Sequence, residues 1–234
     1  MNEGRGGLPA GWAGWARAGP EAERLRVERI AEEAATAFHE LETVQRGVSV
    51  FGSAREEMVE RWGSLAGRVA HGLAAAGFAV ITGGLPAIHR PVDAAARAAG
   101  GESIGLTIEL PAVEPPNPHL TRRVHFHYFF LRKLSFVRYS CAFVLLPGGF
   151  GTMDELFEAL NLRRTHRISP FPVILVGRAY WGGLLDWLAT AAVGQGALRD
   201  ADLSDLVLTD DANEVVAVVA ECHRELCRRL GMAP

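Results

Sequence analysis

The chain has 234 residues, 49% apolar and 22% charged, a globular balance that excludes a disordered or collagen-like protein. Twenty-four Lys and Arg against 27 Asp and Glu leave a net charge of −3, so no basic excess marks nucleic acid or an anionic membrane as a partner. No apolar run approaches the ~18 residues that span a bilayer, Met1–Trp15 has no apolar h-region, and three cysteines are too few for a disulfide framework or zinc site; the expectation is a cytoplasmic protein with reduced thiols.

Residues 1–19 are rich in Gly, Ala and Pro and are expected to form a flexible tail. Pro20 suits the first turn of a helix. Apolar Leu25, Val27, Ile30, Ala34, Phe38 and Leu41 then recur among charges up to about Thr43, which predicts an amphipathic helix within 20–45. Short apolar runs follow at Val48–Phe51, Phe78–Thr82, Ser103–Ile108, Cys141–Leu146, Pro172–Val176 and Leu206–Leu208, most of them leading into helical stretches such as Glu56–Ala75 and Pro91–Ala99. Continuous apolar strands imply that both faces are covered, and β-α alternation makes the sheet parallel. The fold expected over 46–234 is therefore α/β, a doubly wound parallel sheet of about six or seven strands with an N-terminal helical extension, its ligands at the carboxyl ends of the strands.

The strongest local signal is Pro147-Gly148-Gly149-Phe150-Gly151-Thr152-Met153-Asp154-Glu155 at the end of a buried strand. Glycines let backbone N–H groups approach a ligand closely, and a helix start adds unpaired donors, so the segment suits a phosphate. A plain glycine turn with Thr152 as helix cap and Glu155 completing a capping box reads the same residues without a ligand. The Phe129–Tyr139 segment predicts a helix that brings Arg132 over the same strand ends, with Lys133 beside it. His119, His125 and His127 lack the further ligands a metal site needs, and no metal is expected.

These motifs together resemble the LOG ("Lonely guy") family. Pro147–Glu155 matches its P-G-G-x-G-T-x-x-E signature and Arg132-Lys133 its second motif, and the likeness runs from about Val48 to Trp187, nearest to the longer bacterial branch. Members are cytokinin riboside 5'-monophosphate phosphoribohydrolases, long mislabelled as lysine decarboxylases. The resemblance implies a Rossmann-like fold and hydrolysis of an adenosine 5'-monophosphate, plain or N6-substituted, to free base and ribose 5-phosphate. It further implies Glu155 and Arg132 as catalytic residues, and Gly148, Gly149, Gly151, Thr152 and Lys133 around the phosphate. Asn117, Asn161 and Gly84 are further contacts by position. No cofactor is implied, and the chain is expected to form a dimer or higher homo-oligomer, or a hetero-oligomer with a LOG paralogue.

One loop departs from that pattern. Where the family usually carries G-G-G-P-G-I-M-E-A, this chain reads Gly83-Gly84-Leu85-Pro86-Ala87-Ile88-His89-Arg90-Pro91. If the replaced glycines need positive φ or close approach to the sugar, Leu85 and Ala87 strain or block the loop, and Arg90 reverses the sign of the family's carboxylate. Three readings stay open: hydrolysis with a more anionic ligand or a different nucleotide, a catalytically weak or inactive nucleotide-binding subunit pairing with an active paralogue, and an Arg90 that simply faces solvent.

Overall fold

The computed structural model describes residues 19–109, 117–165, 167, 171–204 and 206–231. Residues 1–18 of the expected tail lie outside them. The elements run α1 Pro20–Leu41, β1 Gly47–Phe51, α2 Glu57–Ala75, β2 Ala79–Thr82, α3 His89–Ala98, β3 Ser103–Ile108, β4 Arg122–Phe126, α4 Phe129–Arg138, β5 Ser140–Leu145, α5 Phe150–Arg164, β6 Val173–Val176, α6 Arg178–Trp187, α7 Asp200–Leu203, β7 Leu206–Thr209 and α8 Ala212–Leu230. Seven strands form one parallel sheet in the order β4-β3-β2-β1-β5-β6-β7.

Alternation within each strand divides the core into two layers. Val48, Val50, Val144 and Ile174 pack against α2, α3 and α8, while Phe51, Phe143, Leu145 and Leu175 pack against α1, α4, α5 and α6. Both layers are apolar, which is why these strands read as continuous hydrophobic runs. The edge strand β4 differs: in Arg122–Phe126 only Val124 and Phe126 are buried. α8 is bounded by its own residues, with Asp211 accepting from the Asn213 N–H at its start and Gly231 in the left-handed region at its end. No described helix is long and apolar enough to cross a membrane.

The strand order reverses between β1 and β5, which pair through Ser49–Phe143, Val50–Val144 and Phe51–Leu145. A crevice opens at such a switch point, at the carboxyl ends of the strands. Three loops are knitted together there. Leu146 N–H donates to Phe51 O at 2.9 Å, Ser53 N–H to Pro147 O at 3.1 Å, and Ile88 N–H to Ser53 O at 3.2 Å. The N-terminal helix also serves this end: Glu33 of α1 accepts the N–H groups of His127 and Tyr128 at 3.1 and 3.0 Å. Those donors would otherwise lie unpaired at the start of α4, which has no cap of its own. α1 thereby fixes the helix that carries Arg132.

Candidate active site

α5 begins at Phe150 with Gly149 as its N-cap and no side-chain cap, so the capping-box reading, which needs Thr152 as the N-cap, is corrected. Thr152 lies inside the first turn, and its hydroxyl folds over Gly148 so closely that any Cβ at Gly148 would collide with Oγ1. Gly149 and Gly151 are different: no described residue has an atom within 4 Å of where their Cβ atoms would be. Their glycine identity answers to no packing demand, and they leave open space in front of a helix N-terminus, the setting in which backbone amides hold an anion. Tyr180 steadies the loop by donating to Gly148 O.

Glu155 projects one turn into α5 and is 6% exposed. Burial pushes its carboxyl up to about 7; the charges of Lys133 and Arg132 pull it down, and those of Glu158 and Asp154 push it up. Its Oε2 is buried without a hydrogen-bond partner among the described residues. Arg132, on α4, is 9% exposed. Its Nε donates to Leu106 O of β3 at 2.7 Å, and the Phe129 and Phe136 rings lie 5.7 and 5.3 Å from its guanidinium carbon. Burial lowers its pKa to about 10, against the influence of Glu155. The Nε bond is the only hydrogen bond of this guanidinium among the described residues, so both Nη groups remain for a ligand.

The other expected residues divide. Lys133 is turned to the side, its ammonium 2.9 Å from Asp154 and 3.2 Å from Glu158. Partial burial works against that charge, and the two carboxylates more than offset it, raising its pKa. Asn161 sits in the last turns of α5, about 9 Å along the axis from Glu155, and accepts from Arg164; the structure does not bring it to the loop. Asn117 donates to Asp93 at 2.7 Å and accepts from the His119 N–H at 3.1 Å. Gly84 has φ +63° and lies so near β3 that a Cβ would come within 2.7 Å of Thr107; its N–H points inward to Thr82 Oγ1 at 3.0 Å. Its glycine identity answers to the backbone.

In the altered loop Ala87 has φ +62°, the one positive φ outside glycine among the described residues, and is fully buried. The expected strain is therefore present at Ala87 and absent at Leu85, and the Ile88 N–H ties the loop to Ser53 O. Arg90 faces outward to Glu56 at 3.2 Å, with both side chains more than half exposed. Beneath the loop lies a polar network that the sequence did not reveal. Asp93, wholly buried, accepts from Thr82, Ser103 and Asn117. Burial pushes it up to about 7 although those hydrogen bonds favour the ionised form. Among the described residues no cluster of His, Cys, Asp and Glu could hold a metal ion.

This arrangement offers an open cradle of amides, a buried arginine with free Nη groups, and a buried carboxylate with an unused oxygen. Comparison with known proteins matches residues 90–219 to the family described as "Possible lysine decarboxylase". The chain is 27% identical to the cytokinin riboside 5'-monophosphate phosphoribohydrolase of Rhodococcoides fascians over 74% of its length and 89% of that protein. It is 29% identical to the Mycobacterium tuberculosis protein of the same name, over 67% of this chain and 84% of the other. The X-ray structure of TM1055 shares the fold, with a TM-score of 0.60 at 24% identity over 76% of this chain and 99% of that one. With more than half its length matched and the Pro147–Glu155 signature in place, the chain belongs to the LOG family of possible lysine decarboxylases.

Proposed function

We propose that the chain hydrolyses the N-glycosidic bond of an adenosine 5'-monophosphate, plain or N6-substituted, releasing the base and ribose 5-phosphate. The observation that carries this reading is the buried, unpartnered Oε2 of Glu155, one helical turn from the open amides at Gly149 and Gly151. Phosphate held by those amides and by Thr152 places the sugar over the carboxylate. As the C1'–N bond breaks, positive charge develops on the ribose, and ionised Glu155 stabilises it while orienting water. The water hydroxyl joins C1', and its proton leaves by way of the base. Arg132 offers a fixed cation to the phosphate or to the negative charge growing on the departing base. Lys133, tied to Asp154 and Glu158, contributes through its charge on Glu155. The names of the bacterial relatives agree with this chemistry.

The test is chromatographic: AMP and isopentenyladenosine monophosphate are incubated with the protein and free base is measured, with adenosine as the comparison lacking phosphate. The expected result is release from the monophosphates and little from adenosine. Binding of AMP without release assigns the chain to the inactive-subunit reading.

A homodimer belongs to the same proposal. Phe129, Phe130 and Leu134 of α4 and Phe150 of α5 are 54%, 51%, 46% and 93% exposed. The Lys133 ion pairs link these two helices, which also carry Arg132 and Glu155, so the four residues lie on the elements of the site, and exposed apolar surface of this kind marks interfaces. Light scattering should report a dimer that Phe130→Asp with Leu134→Asp converts to monomer; a monomeric parent refutes it.

A further inference from the structure

His89 opens α3 from within the altered loop and has no part in the chemistry above. Its ring is 5% exposed. The Leu85 N–H donates to its Nδ1 at 3.3 Å, which leaves the proton of the neutral ring on Nε2. That Nε2 is buried with no partner among the described residues. A methionine there would fill space without orphaning a donor, so packing alone does not account for an imidazole.

Gly83 shows what the ring touches. A Cβ on Gly83 would lie 2.6 Å from Arg132 Nη2 and 2.9 Å from His89 Cε1, so guanidinium and imidazole close on one point above its α-carbon. Arg132 is otherwise restrained by Leu106 O at Nε and by the Phe129 and Phe136 rings; His89 closes a remaining side. Burial and the Arg132 charge hold the imidazole down to about 3, so it stays uncharged against the guanidinium. We propose that His89 is a positioning residue: its neutral ring, pinned by the Leu85 amide, sets the Arg132 guanidinium so that the Nη groups face the ligand. The loop that departs from the family pattern is thus coupled to the arginine that the pattern retains. For its ligand arm, this inference rests on the nucleotide reading above.

The direct test follows the Arg132 Nε–H resonance in 15N-labelled protein, identified by its absence in Arg132→Lys. A narrow signal is expected in the parent. It should broaden or shift in His89→Met and in His89→Phe, which keeps a ring but loses the acceptor. An unchanged signal in whichever of the Met and Phe variants folds overturns the proposal. In a Glu155→Gln background that blocks turnover, titration calorimetry with AMP should show affinity falling roughly tenfold in His89→Met. Adding His89→Met to Arg132→Ala should bring no further loss, whereas independent, additive losses overturn the positioning role. A parent that binds no AMP defeats the nucleotide reading instead, and the Arg132 signal still decides the role of His89.

Discussion

Replacing Glu155 by glutamine should make the fold less sensitive to alkaline pH. Burial moves this carboxyl from 4.5 to about 7, and each pKa unit represents about 1.4 kcal/mol. Above pH 7 the native state must ionise a group that the unfolded chain ionises with ease, at a cost of about 3 kcal/mol. Below 4.5 both states hold the proton and the penalty vanishes. Between these limits the native state binds more protons, so stability falls as pH rises. A glutamine side chain does not titrate, and whatever its amide gains or loses is the same at every pH. The advantage of Glu155→Gln over the parent should therefore widen by about 3 kcal/mol between about pH 4.5 and pH 8. Urea unfolding at the two pH values reads this as a divergence of midpoints of about 1 M, given slopes of roughly 2–3 kcal/mol/M. A gap that stays constant with pH would refute a destabilising, buried carboxylate at this position.

The glycine loop predicts a contrast. Gly148→Ala should lower both stability and AMP affinity, because its methyl meets Thr152, whereas Gly149→Ala, with open space beside it, should cost no more than the ~1 kcal/mol of a poorer N-cap and act chiefly by weakening AMP binding. Ala87→Gly should be close to neutral in denaturant. It relieves about 1–2 kcal/mol of left-handed strain, loses about 0.8 kcal/mol of methyl burial, and frees the unfolded chain by roughly 0.4–1 kcal/mol. A loss of about 2 kcal/mol or more would show that Ala87 sits there without strain. Arg90→Ala removes an exposed pair with Glu56 worth about 0–1 kcal/mol, so AMP turnover and stability should both stay near parental values; a large drop in turnover would return Arg90 to the site.

The buried framework was legible because it is apolar on both faces. Runs such as Val48–Phe51 and Cys141–Leu146 announce strands covered by two helical layers, and they lie in the sheet as expected. β4 escaped that criterion because Arg122, Arg123 and His125 alternate with its buried residues at an edge. The cap of α5 lies three residues earlier than Thr152, at Gly149, with the Thr152 side chain folded over Gly148. Glu155 and Arg132 were visible as motif members, and their helices do converge on one crevice. What spacing could not carry is side-chain direction. Lys133 turns to Asp154, Asn117 turns to Asp93, and Arg90 turns outward, each drawn by a partner distant in sequence. His89 was hidden beside Arg90 and Pro91, a charge and a helix-breaking ring that give no sign of burial; its one signal is that it stands where the family pattern has methionine.

Glu155 acting as a carboxylate against the ribose of a bound nucleotide is the claim on which the proposed chemistry rests. The pH dependence of base release from AMP, compared between the parent and Glu155→Gln, tests that directly. The rate in the parent should climb with pH through about 7 as the buried carboxyl ionises, and Glu155→Gln should bind AMP yet release no base. Release by Glu155→Gln at the parental rate would contradict the mechanism.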